Sequence, residues 1–480
     1  MTERPALVWF RNDLRTDDNP ALHAARETGA PVIPVFILDD GMPHAAGGAS
    51  KWWLHHSLAS LAAALENAGT KLILRRGDSA EVLKKLVEDT NAAHVFWNRR
   101  YFPKHLETDK ALKGEMKGAG VNVETFNGSL LREPWEVKTG SGGPYRVFTP
   151  FWKTLKEIGP ARAQLWPNSR KIAGPQKNPK SDKLSDWGLL PTKPNWANEI
   201  AQNWTPGEQG ARDRLNHFLN NNIDDYSAGR DRPDKEFTSK LSPHLAFGEI
   251  SPLQIWTATY DKMAGGNISD EAAMKFLSEV AWREFSYSLL FFNENLPEKP
   301  LRENFADYPW RDDPEGLKAW QLGLTGYPIV DAGMRQLWRT GWMHNRVRMI
   351  VASFLIKDQL IPWQEGAAWF WDTLVDADLA NNSASWQWVA GCGADASPYF
   401  RIFNPVTQGG KFDPDGDYVR EFLPELKKLP KKYIHAPWKA PEDVLQAADI
   451  KLGKTYPFPI IDHAMARERA LEGYNEIRSA

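Results

Sequence analysis

The stretch DADLANNSASWQW, which begins at Asp376, concentrates side chains that can bind a ligand. Asp376 and Asp378 offer carboxylates, Asn382 offers an amide, and Trp386 and Trp388 offer indoles. A desolvated carboxylate or amide needs hydrogen-bond partners, and an indole N–H needs an acceptor. The stretch therefore faces either water or a ligand. If it is helical, the two tryptophans point in different directions, because only three- and four-residue spacings share a helix face.

Three further segments combine similar residue types. FTSKLSPHLAFGEIS places hydroxyls and backbone N–H groups before a helix, which suits phosphate oxygens, although a local turn with a helix cap is the simpler interpretation. In SEVAWREF, Glu279 and Trp282 share a helix face, while Glu279 and Arg283 have the spacing of a surface ion pair. In GWMHNRVRM, Asn345 and Met349 lie one turn apart on a basic helix. A solvated face explains one such helix more easily than three.

Composition limits the classes of protein. The 480 residues, 42% hydrophobic and 25% charged, are typical of a soluble globular protein with more than one domain. The net charge of -2 means that a nucleic-acid partner would need a local basic surface. The single cysteine, Cys392, excludes an intramolecular disulfide and a four-cysteine cluster, and no metal site is expected. Because no signal peptide or membrane span is evident, we expect a cytoplasmic protein that does not enter membranes.

Hydrophobic periodicity separates the chain into two halves. Short β-branched runs alternate with helical patterns up to about residue 130, and Asp18-Asn19-Pro20 and Ser50 are plausible helix starts. This alternation predicts an α/β N-terminal domain, residues 1–130, with a Rossmann-like parallel five-stranded sheet. Because G-x-G-x-x-G and P-loop motifs are missing, a nicotinamide or P-loop nucleotide site is not expected there. Residues 131–204 read as an interdomain linker, and residues 205–480 as an all-α domain.

Taken together, these segments resemble the photolyase and cryptochrome flavoprotein family, closest to a cyclobutane pyrimidine dimer photolyase of class I or III. The matching stretches are WFRNDLRTDDNPAL, TSKLSPHLAFGEIS, WREF, TGYPIVDAGMRQLWRTGWMHNRVRM, DADLANNSASWQW and YFRIFNPVTQG. The resemblance implies an antenna domain followed by a helical FAD-binding catalytic domain. It also implies light-driven electron transfer from reduced FAD to a pyrimidine dimer in UV-damaged DNA, by a protein expected to be a monomer.

The resemblance assigns contacts to FAD. The residues expected to bind it are Tyr226, Thr238, Ser239, Lys240, Leu241, Ser242, Arg283, Trp342, Arg348, Asp376, Asp378 and Asn382. The family usually has arginine where this chain has Lys240, and a lysine cannot form the same bidentate pairing. Arg348 is the expected ion-pair partner of Asp376. Asn382 is expected to face the flavin N5, where an amide can accept from N5–H or donate to a bare N5.

The resemblance also assigns the substrate pocket and an electron path. Photolyases are among the enzymes that extrude the target base. The residues expected to contact the extruded dimer are Glu279, Trp282, Asn345, Met349 and Trp388, and those expected to reach DNA phosphates are Arg230, Lys240, Arg346, Arg401 and Lys411. Glu279 and Asn345 would stabilise the charge that arrives on the dimer. Trp386, Trp363 and Trp310 match a chain of indoles that runs from the flavin to the surface.

Several alternatives stay open. Arg11, Lys51 and Trp52 lie where relatives hold an antenna chromophore, for which methenyltetrahydrofolate is favoured and 8-hydroxy-5-deazaflavin is the alternative. Packing of Trp52 or Trp53 between helix and sheet is the competing interpretation. Relatives that repair the other pyrimidine photoproduct have histidines at positions 345 and 349, so cyclobutane dimers are expected here.

The rival functions are a cryptochrome photoreceptor without repair activity and a flavoprotein of dark electron transfer. Plant-type cryptochromes carry aspartate at the Asn382 position and a long C-terminal tail. This chain has asparagine there and ends shortly after the predicted helical domain, and both differences favour repair.

Overall fold

The computed structural model describes residues 4–166, 171–396 and 401–479. The chain divides into two compact units. Unit 1 comprises Met1–Asp224, Ser239–Glu294 and Val375–Ala380, and unit 2 comprises Asp225–Thr238, Asn295–Leu374 and Asn381–Ala480. The domain boundaries at residues 130 and 204 stay a prediction.

Within the described residues, unit 1 contains the predicted five-stranded parallel sheet, in the order β3-β2-β1-β4-β5. Its strands are β1 (Ala6–Phe10), β2 (Val32–Leu38), β3 (Ile73–Arg76), β4 (His94–Asn98) and β5 (Asn122–Phe126). The connections contain α1 (Pro20–Glu27), α2 (Gly48–Ala68), α3 (Ser79–Thr90) and α4 (Pro103–Gly118). Every residue of β1 and β2 is buried, as expected for central parallel strands covered on both faces. The α/β prediction is confirmed.

The two predicted helix starts have different outcomes. Asn19 is the N-cap of α1, and its side chain accepts a hydrogen bond from the N–H of Leu22 at 3.1 Å. The prediction for Ser50 is wrong, because α2 begins at Gly48 after the extended residue Gly47. Ser50 therefore lies inside the first turn, although a serine before an apolar run resembles a cap.

The other regular elements of unit 1 are helices, and one of them was not predicted. Its helices are α5 (Phe148–Ile158), α6 (Asn198–Asn203), α7 (Glu208–Asn221), α9 (Ser242–Ala246), α10 (Pro252–Ala264) and α11 (Asp270–Phe292), with a 3-10 helix at Leu184–Trp187. Helix α5 lies within the predicted linker and packs on α11 through Phe148 and Phe151. Helices α8 (Ile223–Gly229) and α16 (Leu379–Ala390) contain residues of both units.

Unit 2 is helical, as predicted. Its helices are α12 (Pro314–Leu322), α13 (Pro328–Thr340), α14 (Asn345–Ser353), α15 (Trp363–Thr373), α17 (Pro405–Phe412), α18 (Asp417–Phe422), α19 (Glu442–Ala447) and α20 (His463–Ser479). A π-helical turn follows α14 at Phe354–Asp358, and 3-10 turns occur at Glu303–Asp307, Pro424–Leu426 and Pro437–Lys439. None of the described helices has the length and apolar composition needed to cross a membrane.

A close approach in unit 2 requires glycine. Gly366 on α15 lies directly against the indole of Trp386, and a Cβ at this position would overlap that ring and the side chain of Leu355. The contact fixes how α15 packs against the second half of α16.

Candidate functional site

Two buried carboxylates stand out among the predicted site residues of unit 1. Asp376 and Asp378 are 8% and 9% exposed. The hydroxyl of Ser242, at the start of α9, donates to Asp376 Oδ2 at 2.6 Å. The phenol of Tyr287, on α11, donates to Asp378 Oδ2 at 2.5 Å. Hydrogen bonds of this kind offset part of the cost of removing a carboxylate from water.

The backbone before α9 is shaped to receive an anion. Lys240 has a positive φ of 51°, and Leu241 follows in the right-handed region at φ -86° and ψ -7°. Successive residues of opposite hand turn their N–H groups toward one concave side, a geometry that binds anions. The predicted phosphate contacts Ser239 to Ser242 belong to this turn.

Arg283, a predicted FAD contact, has internal partners in unit 1. Its guanidinium donates to the carbonyl of Ser129 at 2.8 Å, contacts the Glu284 carboxylate at 3.4 Å and lies 4.6 Å from the ring centroid of Tyr287. The spacing between Glu279 and Arg283 allowed a surface ion pair, but the structure gives Glu279 a different partner. Glu279 pairs with Lys275, one turn earlier on α11, at 3.2 Å.

Trp282, a predicted dimer contact, is half-buried and stacks on Phe148 of α5. The ring centroids are 3.7 Å apart and the planes differ by 10°. Phe148 covers one face of the indole and so fixes the orientation of the other. Phe148 lies in the segment read as a linker, which is why sequence reasoning missed it.

Arg11, a predicted antenna contact, is also held internally. It follows β1, is 7% exposed, pairs with Asp109 at 3.4 Å and donates to the carbonyl of Asn98 at the end of β4. Its guanidinium lies 4.2 Å from the centroid of the Trp9 ring. Burial lowers the pKa of Arg11 to about 10. These contacts occupy the end of the sheet at which the strand order reverses.

The other predicted antenna residues lie on α2. Lys51 is half-buried, whereas Trp52 is only 4% exposed and its ring contacts His56 at 4.7 Å. Trp53 is fully buried and donates through Nε1 to Glu249 at 3.0 Å. The packing interpretation therefore fits Trp53.

In unit 2, the N-terminus of α14 presents several predicted substrate residues. Asn345 is exposed, whereas Arg346 and Met349 are half-buried. His344 caps the helix by accepting from the N–H of Arg346 at 3.2 Å through Nδ1. Burial lowers the pKa of His344 to about 4, which keeps the imidazole neutral and able to accept.

A cationic cluster surrounds the ring of Phe412 at the end of α17. Arg346 lies 4.4 Å and Lys411 lies 5.1 Å from its centroid. Arg346 also pairs with Asp231 at 2.9 Å. Two of the predicted phosphate contacts, Arg346 and Lys411, therefore lie against the same ring.

The predicted FAD contacts of unit 2 lie on several elements. Trp342 is 8% exposed, and Arg348 lies 5.9 Å from its ring centroid while donating to the carbonyl of Met343 at 2.8 Å. Tyr226 is 7% exposed, with Arg230 at 5.5 Å from its ring. Thr238 is half-buried.

Asn382, Trp386 and Trp388 are the predicted site residues on the portion of α16 that belongs to unit 2. The amino group of Asn382 donates to the carbonyl of Ala367 at 3.0 Å, so its Oδ1 is the acceptor. Trp386 is buried and Trp388 is half-buried, which agrees with the expectation that they face different neighbours. Trp386 packs edge-on against Phe370 at 5.0 Å and against Trp320 at 6.3 Å.

The remaining indoles of the predicted electron path differ in exposure. Trp363 is buried, and Trp310 is half-buried with its ring 4.6 Å from that of Tyr308. The contact of Trp320 with Trp386 was not predicted, because Trp320 is one of 22 tryptophans and belongs to none of the matching stretches.

A buried lysine supports another predicted DNA contact. Lys357 is 3% exposed, and its ammonium donates to the carbonyl of Arg401, whose own side chain is exposed. Burial lowers the pKa of Lys357 to about 7, with opposing contributions from Asp358 and Arg401. Part of the matching stretch YFRIFNPVTQG lies outside the described residues.

Comparisons with known proteins identify the family of the chain. The family described as DNA photolyase matches residues 6–168, and the FAD binding domain of DNA photolyase matches residues 276–476. The chain is 55% identical to a deoxyribodipyrimidine photo-lyase of Agrobacterium fabrum, over 99% of this chain and 98% of that protein. It is 40% identical to Cryptochrome-1 of Arabidopsis thaliana, over 98% of this chain and 70% of that protein. The crystal structure of a class III photolyase from Agrobacterium tumefaciens superposes with a TM-score of 0.97, at 54% identity, over 100% of this chain and 99% of that one.

The lowered pKa of Lys357 predicts that the stability of the fold depends on pH. Because the pKa of Lys357 falls from 10.5 to about 7 on folding, the unfolded chain binds more protons between these values, and stability rises with pH across this window. We expect the free energy of unfolding of the wild type, relative to Lys357→Met, to increase by about 2 to 4 kcal/mol between pH 7 and pH 10. Urea unfolding at both pH values measures the difference. Lys454→Met, which removes an exposed lysine of the same unit, is the control, and parallel curves for wild type and Lys357→Met would contradict the expectation.

Proposed function

Because the chain belongs to the DNA photolyase family, we propose that it repairs cyclobutane pyrimidine dimers in UV-damaged DNA, with light as the source of energy. When bound, reduced FAD supplies on excitation the electron that splits the dimer. The observation that carries the proposal is α11, on which Glu279 and the stacked indole of Trp282 share one face. A carboxyl group beside the fixed apolar face of an indole suits a pyrimidine dimer, which has polar base edges and apolar faces.

The residues of each unit fit the polar groups of FAD. Asp376 and Asp378 are acceptors for the flavin N–H and ribose hydroxyl groups, and the turn at Lys240 suits the pyrophosphate. In unit 2, the hydrogen bond from Asn382 to Ala367 turns the amide nitrogen toward that carbonyl and the amide oxygen away from it. Of the two roles open to Asn382, acceptance from the N5–H of a reduced flavin is therefore favoured.

Each substrate residue has a distinct role. Trp282, Trp388 and Met349 would cover the apolar faces of the dimer, because indoles and thioethers present large polarisable surfaces. Glu279 and Asn345 would hydrogen-bond to the base edges and stabilise the arriving negative charge. The cationic cluster around Phe412, together with Arg230 and Arg401, would contact phosphates, and such contacts make DNA binding weaker as salt increases.

A cryptochrome-type photoreceptor without repair activity is the second candidate. The 40% identity to Cryptochrome-1 of Arabidopsis thaliana favours it, because the similarity covers 98% of this chain. Asn382 and the complete set of dimer contacts favour repair. The two candidates differ in one measurement, the light-dependent recovery of intact pyrimidines.

Repair should depend on the hydrogen bonding of Glu279 to the dimer. Purified FAD-loaded protein is illuminated with blue light in the presence of a dimer-containing oligonucleotide, and the recovery of pyrimidine absorbance is followed. We expect Glu279→Ala to lower the repair yield by about tenfold while FAD stays bound, because a hydrogen bond to a charged group is worth about 1.5–3 kcal/mol. Glu271→Ala, at an exposed position in the first turn of the same helix, is the control. Absence of repair by the wild type would favour the photoreceptor.

The indole chain predicts a separation of two activities. Trp386→Phe and Trp310→Phe should slow the photoreduction of oxidised FAD, because phenylalanine is harder to oxidise than tryptophan. Repair by chemically pre-reduced protein should stay nearly unchanged. Flavin absorbance after a light pulse measures the first activity, and Trp187→Phe, in unit 1, is the control. Loss of repair by pre-reduced Trp386→Phe would assign this indole to the repair step instead.

The antenna chromophore is proposed to be methenyltetrahydrofolate, with 8-hydroxy-5-deazaflavin as the alternative. Arg11 is engaged by Asp109 and Asn98, so Lys51 is the proposed cationic contact for the folate carboxylates. We expect Lys51→Gln to lower chromophore occupancy several-fold, since a charge-assisted contact is lost. The released chromophore is identified by mass and absorption against both standards. Recovery of deazaflavin from the wild type would overturn the folate assignment.

A further inference from the structure

Tyr287 is a phenol of unit 1 that contacts two predicted flavin residues, Asp378 and Arg283. It lies on α11 one turn after Arg283, is 7% exposed, and donates to Asp378 Oδ2 at 2.5 Å. A hydrogen bond to an ionised acceptor is shorter and roughly twice as strong as one between neutral groups. Tyr287 therefore contributes more to the position of Asp378 than an ordinary buried hydroxyl would.

The ring of Tyr287 is held on several sides. Phe102 stacks on it at 6.1 Å with 28° between the planes, and Tyr101 approaches edge-on at 6.2 Å. The guanidinium of Arg283 lies 4.6 Å from the ring centroid and is itself anchored on the carbonyl of Ser129 at 2.8 Å. Because its neighbours fix the ring, the hydroxyl has a fixed position from which to hold Asp378.

The phenol is also kept in its donor form. Burial, followed by the charge of Asp378, raises the pKa of Tyr287 far above its ordinary value. Tyr287 is therefore neutral at physiological pH and donates its proton to the carboxylate. The other charged groups on α11 beside it are Arg283 and Glu284.

We propose that Tyr287 is a positioning residue for the flavin, which fixes Asp378 in the orientation that accepts a hydrogen bond from the cofactor. This inference rests on the proposed function, because it requires FAD next to Asp378. A carboxylate has about four lone-pair sites, so Asp378 can accept from Tyr287 and from a ligand at the same time. The hydrogen bond also compensates part of the negative charge that Asp378 would present to the flavin.

The variant Tyr287→Phe separates positioning from packing. It keeps the aromatic ring and removes the hydroxyl, so we expect FAD affinity to fall by about tenfold. We also expect the flavin midpoint potential to become more negative, because the charge of Asp378 is then less compensated. Flavin fluorescence on titration measures affinity, and spectroelectrochemistry of FAD-loaded protein measures the potential. Asp378→Asn, which removes the charge and keeps Tyr287, should shift the potential in the positive direction.

Tyr101→Phe is the matched control. Tyr101 is 1% exposed and contacts the ring of Tyr287, and the charged groups beside its hydroxyl are Glu133 and Arg99. The inference is overturned if Tyr287→Phe matches Tyr101→Phe in affinity and potential, or if its potential shifts in the same direction as that of Asp378→Asn. If Tyr287→Phe does not fold, an unchanged potential in Asp378→Asn overturns it as well. A wild-type protein that does not bind FAD would instead overturn the proposed function.

Discussion

The burial of Asp376 and Asp378 within three residues is the constraint on which the arrangement of unit 1 depends. A carboxylate removed from water destabilises the fold unless donors reach it, and here the donors come from α9 and α11. Ser242 and Tyr287 are separated by 134 and 91 residues of sequence from the carboxylates to which they donate. The segments Ser239–Glu294 and Val375–Ala380 therefore have to fold as parts of one unit with the sheet. Loss of either donor leaves a buried charge less compensated rather than merely removing one contact.

Much of the fold could be predicted from the sequence, because its periodicities are local. The alternation of β-branched runs and helices predicted the parallel sheet, and α7, α11 and α13 coincide with strongly periodic segments. Helix α5 was missed although its buried residues Phe148, Phe151 and Leu155 recur at helical spacing, because the surrounding segment is rich in proline and tryptophan. The start of α2 was wrong because a serine before an apolar run has the same local signature whether it caps the helix or lies in its first turn.

The types of residue at the candidate site could be predicted from the matching stretches, but their partners could not. Spacing on a helix allows Glu279 to pair in either direction, and the structure pairs it with Lys275. Trp282 stacks on Phe148, more than 130 residues earlier in the chain, and no periodicity joins two such positions. The partner of Tyr287 could not be predicted for the same reason. Its spacing to Arg283 is visible in the sequence, whereas its hydrogen bond to Asp378 depends on how distant segments pack.

A chain with a net charge of -2 attracts DNA only if its cations are concentrated locally. Around Phe412, the aromatic ring attracts both Arg346 and Lys411, which offsets part of their mutual repulsion. Asp231 pairs with Arg346 at a site where the two side chains are 41% and 20% exposed. A pair with this exposure contributes roughly 0–1 kcal/mol, so a phosphate can replace the carboxylate at little cost. Asp231 can therefore keep Arg346 extended in the absence of DNA without competing strongly when DNA binds.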